Sequence, residues 1–157
     1  MSDQEYMRRV RALEGRLYRV AHAILWRDAD CADAVQEAVF RGWRKKGRLR
    51  SPELLETWLV RILINQCRDV LRRRAREGLP LESEPSREDR LCEDLHLRLA
   101  LKALPEKYRL PLLLHCLEGW PVRDVARALG LSQSAATARL HRARRALKAL
   151  LEGGEAK

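Results

Sequence analysis

The sequence predicts an all-α protein of two small helical domains joined by a flexible acidic linker. Apolar residues recur at the three- and four-residue spacing of amphipathic helices along most of the chain. Residues 77–91 lack that spacing and are rich in proline, glycine and glutamate, a composition typical of linkers. We therefore expect a first domain at residues 1–76, a linker at 77–91 and a second domain at 92–157.

The composition limits the classes of function. The chain has 157 residues, of which 34% are charged and 5% aromatic, with a net charge of +10 and therefore a preference for polyanionic partners. No apolar run approaches the roughly 18 residues that a membrane-spanning helix needs, and the first residues lack the apolar centre of a signal peptide. Four cysteines, at positions 31, 67, 92 and 116, are far apart and form no CxxC pair. We expect a cytoplasmic protein with no membrane insertion and with reduced, buried cysteines.

The first predicted helix, residues 5–26, is expected to serve the core. Its apolar stripe consists of Val10, Leu13, Leu17, Val20, Ala21, Ile24 and Leu25. A second helix begins at residues 28–30, where two aspartates can cap it, and runs to about Trp43. Its outward side carries an acidic patch, defined as Asp33, Gln36 and Glu37. Such a patch suits docking on a positively charged protein surface. The alternative is a plain solvated helix face, and the spacing does not decide between these two interpretations.

The third predicted helix, residues 53–76, follows a basic loop at 44–52. One side of this third helix, α3, is apolar. Another side, here called the α3 row, carries Thr57, Arg61, Asn65, Arg68 and Arg72. Cations with one amide suit a nucleic-acid backbone and a base edge. Trp58 borders this row, where it either covers the rim of the core or stacks on a base.

The second domain is predicted to contain about four helices. Residues 91–104 are periodic, and Pro105 suits the first turn of a further helix that ends near Gly119. Its apolar stripe is Leu110, Leu113, Leu114 and Leu117. Residues 121–129 form the next helix, Gly130 supplies a tight corner and Ser132 caps a last helix that runs to about residue 151.

This last pair of helices is typical of a helix-turn-helix. The last helix is apolar on one side, and its opposite side is basic with small residues such as Ser134 and Ala138 among arginines. Small side chains permit close approach to a major groove, so we interpret this helix as a DNA reader. The alternative is an ordinary helical hairpin with a solvated charged face.

No motif of enzymatic or cofactor chemistry is present in the sequence. The histidines, at positions 22, 96, 115 and 141, do not cluster with carboxylates at catalytic spacing. Cys92 and His96 stand four apart, but adjacent His115 and Cys116 point about 100° apart on a helix and make a poor chelating pair. The sequence lacks a phosphate-binding glycine loop, HExxH and GxSxG. We expect a binding protein rather than an enzyme, with no cofactor and no metal.

Three segments resemble the bacterial sigma factors of the extracytoplasmic-function (ECF) group. In the first domain these are DADCADAVQEAVFRGWRK and ETWLVRILINQCRDVLRRRAR, and in the second ALKALPEKYRLPLLLHCLEGWPVRDVARALGLSQSAATARLHRARRAL. The resemblance covers nearly the whole chain. It implies a protein that joins the core enzyme of bacterial RNA polymerase and directs it to promoter DNA, under restraint by an anti-sigma protein.

The resemblance also implies roles for particular residues. The acidic patch of Asp33, Gln36 and Glu37 would dock on the clamp helices of the polymerase's largest subunit. Contacts to the −10 element and its opened strand would come from Arg48, Ser51, Trp58, Arg61, Asn65, Arg68 and Arg72. Contacts to the −35 element would come from the reader face, defined as Ser134, Thr137, Ala138, Arg139, His141, Arg142, Arg144 and Arg145.

Some residues depart from the family's pattern. Ser134, Ala135 and Ala136 stand where Gly-Thr-Val is usual, and Thr137 and Ala138 stand where Lys-Ser is usual, so the reader face is made of small side chains. The alternative function is a stand-alone regulator that binds operator DNA as a dimer. The acidic patch discriminates between the two, because a regulator has no need of a polymerase-docking surface.

Overall fold

The computed structural model describes residues 1–79 and 95–153, and these are helical with no strand among them. The described residues form seven α-helices: α1 Asp3–Leu25, α2 Asp28–Lys45, α3 Leu55–Glu77, α4 Leu95–Ala103, α5 Glu106–Leu112, α6 Val122–Leu129 and α7 Gln133–Leu151. Short 3₁₀ turns lie at Lys46–Arg48 and Pro52–Leu54, and a π-helical turn at Leu113–Leu117. The all-α prediction is confirmed. The predicted linker lies outside the described residues apart from its first three.

The first half of the chain is a three-helix bundle in which α1, α2 and α3 all contact one another. Gly42 permits their close approach, because a β-carbon at this position would lie 2.5 Å from the Tyr6 Oη atom and 3.0 Å from a Leu59 methyl group. The Tyr6 hydroxyl donates a hydrogen bond of 2.6 Å to the carbonyl oxygen of Val39. Burial raises the pKa of Tyr6 to about 12, so its hydroxyl remains a donor at neutral pH.

The second half has a small core of its own between α4, α5 and α7. It consists of Leu104, Tyr108, Leu112, Leu140, Ala143 and Ala146. Pro111 lies inside α5, and the chain then widens into the π-helical turn, in which the Glu118 amide donates to the Leu113 carbonyl at 2.9 Å. A π-helical turn shifts later residues away from the α-helical stripe. Leu117, predicted for the apolar stripe, is therefore 61% exposed.

The cysteine prediction is confirmed in part. Cys31 and Cys67 are buried, and burial raises the pKa of the Cys67 thiol to about 12, which makes it unreactive. Cys116 is exposed, so the prediction that it is a core residue is wrong. Cys116 lies within the π-helical turn, off the apolar stripe that Leu110 and Leu114 define, and faces outward with its neighbour Leu117. Cys92 lies outside the described residues.

The two halves pack against each other. The larger core combines the apolar sides of α1, α2 and α3 with five buried residues of the second half: Leu110, Leu114, Trp120, Val125 and Ala128. Helix α6 thus packs on α3 as well as on α7. The first helix of the helix-turn-helix is therefore anchored partly in the first half of the chain.

Candidate nucleic-acid and protein-docking surfaces

The helix-turn-helix corner is built by local backbone chemistry. Gly130 ends α6 with a φ of 69°, a left-handed conformation that glycine adopts without strain. The Leu131 amide donates to the Ala126 carbonyl at 2.9 Å, which closes the end of α6. The Ser132 hydroxyl then accepts a hydrogen bond of 3.1 Å from the Ala135 amide and caps α7, as predicted. These bonds fix the direction in which α7 leaves the corner.

Helix α7 separates its buried and exposed sides clearly. Ala136, Leu140, Ala143 and Ala146 are buried. The predicted reader residues are exposed except for Arg139, which is partly buried. The Thr137 hydroxyl donates to the Gln133 carbonyl at 3.0 Å, so it is already engaged within the helix. The structure thus presents a continuous basic surface of small and cationic side chains.

The residues predicted for the −10 element have more varied surroundings. Arg48, Arg61, Asn65 and Arg72 are exposed, whereas Ser51, Trp58 and Arg68 are partly buried. Trp58 packs against the larger core. This favours the interpretation that it covers the rim of the core over the interpretation that it stacks on a base. Arg72 pairs with Asp69 on the same helix. The Arg68 guanidinium lies 3.1 Å from the Glu106 carboxylate of α5, in the second half of the chain.

The acidic patch lies on the outer side of α2. Asp33 and Gln36 are exposed, and Glu37 is partly buried and pairs with Arg41 at 3.0 Å. Gln36 also lines a groove of about 630 Å³ between α1 and α2, whose apolar walls include Met7, Val10, Tyr18 and Val39. The patch is thus continuous with an apolar groove that the sequence analysis did not identify.

Two exposed aromatic side chains, Phe40 and Trp43, also line this groove. Phe40 is 49% exposed and Trp43 is 39% exposed, and their ring centroids lie 6.0 Å apart in a stacked arrangement, here called the aromatic pair. Sequence reasoning missed them because Phe40 and Trp43 were not placed on either side of α2. The available signal was their spacing of four and seven residues from Gln36, which puts all three on one helical face.

Neighbouring polar groups hold the aromatic pair in place. The Trp43 indole donates a hydrogen bond of 3.0 Å to the Asp3 carboxylate, and the Lys46 ammonium lies 3.0 Å from the same carboxylate. The contact with Lys46, and to a smaller extent the hydrogen bond from Trp43, lowers the pKa of Asp3. The Arg44 guanidinium lies 4.9 Å from the centroid of the Phe40 ring. The exposed rings therefore have few conformations to lose when a partner covers them.

The described residues contain neither a candidate metal site nor a helix that could span a membrane. No group of three or more histidine, cysteine or carboxylate side chains within residues 1–79 and 95–153 is arranged to hold a metal ion. No helix in the same residues is long and apolar enough to span a bilayer.

Comparison with known proteins identifies the class. Residues 9–77 match the family Sigma-70 region 2, and residues 95–147 match Sigma-70, region 4. The ECF RNA polymerase sigma factor SigM of Mycobacterium tuberculosis is 32% identical over 86% of this chain and 71% of its own length. SigE of Mycolicibacterium smegmatis, another ECF sigma factor, is 30% identical over 88% of this chain and 58% of its own length. The chain belongs to the ECF family of RNA polymerase sigma factors.

Solved structures show the same fold. The sigma factor RpoE of Bartonella quintana, in complex with the anti-sigma factor NepR, has a TM-score of 0.80 at 24% identity over 95% of this chain and 98% of its own. CnrH, in complex with the cytosolic domain of CnrY, has a TM-score of 0.72 at 25% identity over 97% of this chain and 90% of its own. Both likenesses extend across the two halves.

Proposed function

We propose that the chain binds the core enzyme of bacterial RNA polymerase and directs it to promoters with −10 and −35 elements. The observation that carries this proposal is the match of the two halves, in order, to the two sigma-70 regions of ECF relatives. The exposed basic surfaces of α3 and α7 support it, because a DNA-binding chain needs accessible cations. No bond is made or broken by the chain itself.

The polymerase-docking surface is proposed to be the acidic patch together with the aromatic pair. Gln36 joins the two, since it belongs to the patch and lines the groove beside Phe40 and Trp43. Interfaces gain most of their affinity from a few aromatic side chains at the centre of a polar rim. A stand-alone regulator has no need of such a surface, and no observation favours that alternative.

The reader face of α7 is proposed to enter the major groove of the −35 element. Because the Thr137 hydroxyl donates to Gln133 within the helix, this residue is suited to apolar contact with a thymine methyl. His141 and Arg142 are exposed further along the same helix and can donate to base edges or phosphates. The basic loop at residues 44–52 and the α3 row are proposed to contact the −10 element and its opened strand. Trp58 lies at the border of the α3 row.

An anti-sigma protein is proposed as a further partner. The solved relatives RpoE and CnrH were both captured with another protein, NepR and CnrY respectively. The apolar groove and the aromatic pair are exposed, and a restraining protein that covered them would exclude the polymerase.

Run-off transcription with purified core polymerase tests the proposal. We expect promoter-specific transcripts only when the chain is added, and co-elution of the chain with core polymerase on size exclusion. Replacing both Phe40 and Trp43 with alanine should weaken core binding by tenfold or more, at about 1.4 kcal/mol per tenfold. Gln4→Ala, an exposed polar residue at the start of α1, is the matched control. Failure of the wild-type chain to co-elute with core polymerase would refute the proposal.

A further inference from the structure

The reader face of α7 is apolar in its middle and cationic only further along. Four of its residues recur at three- and four-residue spacing and so share one side of the helix: Ser134, Ala138, His141 and Arg145. Ala138 lies midway along this row with Thr137 beside it, and both residues are exposed. The first exposed arginine of α7 is Arg142, about one turn beyond Ala138. The part of the helix nearest the corner therefore presents small side chains to a groove.

Thr137 offers its methyl group rather than its hydroxyl hydrogen to a partner. The hydroxyl donates to the Gln133 carbonyl oxygen at 3.0 Å, one turn back in the same helix. This bond turns the threonine oxygen toward the preceding turn, so the methyl group takes another staggered position on the β-carbon. The hydroxyl hydrogen is therefore not available for a base edge, whereas the methyl group of this exposed residue is.

The local structure holds both methyl groups in place. Ala136 and Leu140, on the opposite side of α7, are 0% and 2% exposed and anchor the helix to the second half. The Ser132 hydroxyl caps the same turn by accepting a hydrogen bond of 3.1 Å from the Ala135 amide. Alanine has no rotamer freedom to lose, and the threonine rotamer is already set by its hydrogen bond. Contact at either residue therefore costs little conformational entropy.

The chemistry of these side chains limits which base pairs they recognise. In the major groove guanine is read by arginine or lysine, adenine by asparagine or glutamine, and cytosine by a carboxylate. Thr137 and Ala138 supply none of these groups. The base feature that suits an apolar side chain is the C5-methyl group of thymine. A cytosine at the same place presents no methyl group and so gains no such contact.

Polar residues of the same face lie on either side of this apolar centre. His141 and Arg142 are three to five residues beyond it, or about 4.5–7.5 Å along the helix. At about 3.4 Å per base pair, this distance corresponds to roughly one to two base pairs. Ser134, one turn earlier, carries a hydroxyl that can donate or accept and so discriminates little between bases. The helix thus combines an apolar contact with hydrogen-bonding contacts to neighbouring base pairs.

We propose that α7 selects its −35 element by thymine C5-methyl groups, at the one or two adjacent base pairs that face Thr137 and Ala138. His141 and Arg142 then read neighbouring pairs by hydrogen bonds. The inference rests on the proposed function, and it names the chemistry by which the same reader face chooses its DNA. A·T pairs are preferred at the positions that face the two methyl groups, and G·C pairs are disfavoured there.

Uracil substitution in a promoter tests this proposal without altering a base pair. Uracil pairs with adenine as thymine does and lacks only the C5-methyl group. Each thymine of a −35 element found by run-off transcription is replaced in turn, on either strand. Binding of the holoenzyme, made from core polymerase and the full chain, is then measured by competition. Affinity should fall about fourfold at one or two adjacent pairs, because the contact buries roughly one methyl group. Thymines of the spacer between the two elements are the control and should tolerate uracil.

A second DNA series returns the methyl group on a different base. Replacing the sensitive thymine by cytosine, with guanine opposite, should weaken binding at least as much as uracil does. Replacing that cytosine by 5-methylcytosine should recover about fourfold in affinity, because its methyl group occupies the place of the thymine methyl. No gain from 5-methylcytosine over cytosine would contradict the methyl contact.

Substitutions in α7 assign the contact to particular residues. Thr137→Ser keeps the hydroxyl that bonds Gln133 and removes only the methyl group, so its holoenzyme should bind thymine and uracil DNA equally well at one position. Thr137→Val, the matched control, keeps a methyl group and should retain the wild-type ratio of affinities. Ala138→Gly should remove the preference for thymine at the adjacent pair. Because each variant is compared on two DNAs, any loss of folded protein cancels from the ratio.

The proposal is overturned by a −35 element that lacks thymine, or by unchanged affinity when uracil replaces every thymine of the element. A uracil penalty that persists in both Thr137→Ser and Ala138→Gly also overturns it, because the methyl groups would then act through other residues. A holoenzyme that depends on the −35 element but ignores uracil refutes this inference alone. If the chain directs no promoter-specific transcription, the proposed function fails and the inference falls with it.

Discussion

Replacing Arg109 with alanine should destabilise the chain by about 4 kcal/mol. Its two shorter hydrogen bonds, to the Ala23 carbonyl at 2.7 Å and the Leu104 carbonyl at 2.8 Å, are each worth about 1.5–3 kcal/mol because the donor is charged. The contact with the Trp26 ring adds about 1 kcal/mol. Burial of the methylene stem contributes about 2 kcal/mol.

Removal of the charge offsets part of this loss. Burial lowers the pKa of Arg109 to about 10, so the guanidinium stays charged at pH 7, but keeping it charged costs the folded state about 3 kcal/mol. The favourable contributions sum to about 6–9 kcal/mol, which leaves the net loss near 4 kcal/mol. Arg109→Lys should also destabilise, because one ammonium cannot reach both carbonyls and also lie over the ring.

Urea unfolding followed by circular dichroism measures this change as a shift of the midpoint at constant slope. The matched control is Arg127→Ala, an exposed arginine of α6, which should change the free energy of unfolding by less than about 0.5 kcal/mol. A loss below about 1 kcal/mol for Arg109→Ala would refute the reasoning, since it would mean that the buried carbonyls find other partners.

Three further predictions follow from the described contacts. Gly42→Ala should lower the free energy of unfolding by about 1–3 kcal/mol, because the new methyl group meets the Tyr6 hydroxyl at 2.5 Å. Thermal unfolding measures this loss, with Gly15→Ala as the control substitution. Hydrogen bonds from Arg19 hold the pKa of Glu118 below its ordinary 4.5, against the opposing effect of burial. The Glu118 carboxylate therefore stabilises the fold above pH 4.5 and loses this contribution as the pH falls through the lowered pKa, so the urea midpoints of wild type and Glu118→Gln should converge below pH 4.5. If Arg142 contacts a phosphate, Arg142→Ala should reduce the slope of the logarithm of the DNA-binding constant against the logarithm of salt concentration by about one. Fluorescence anisotropy at several salt concentrations measures this slope.

Each of these has a contradicting outcome. Equal melting temperatures for Gly42→Ala and the wild type would show that the helices can separate without cost. Midpoints that stay parallel on acidification would show that Glu118 is not ionised in its contacts with Arg16 and Arg19. An unchanged salt slope for Arg142→Ala, with affinity lost at one DNA sequence only, would assign this residue to base contact instead.

The proposed docking surface illustrates the limit of prediction from the sequence. Asp33, Gln36 and Glu37 were found because acidic and amide residues stand out in a basic chain. Phe40 and Trp43 were not found, because exposure of an aromatic side chain depends on what the neighbouring helix leaves uncovered. Here α1 approaches α2 closely at Gly42 and leaves the groove open at the aromatic pair. The roles of these residues remain predictions.

The sequence alone determined the helices, their apolar sides and the helix-turn-helix corner, because these follow from spacing and capping between residues near in the chain. Gly130, Ser132 and the exposed side of α7 are of this kind. Only the tertiary structure decided that α6 packs on α3, that Arg109 is buried between the halves and that Leu117 is exposed. Those features depend on the fit of surfaces far apart in the chain and on one π-helical turn, and helical periodicity carries no information about either.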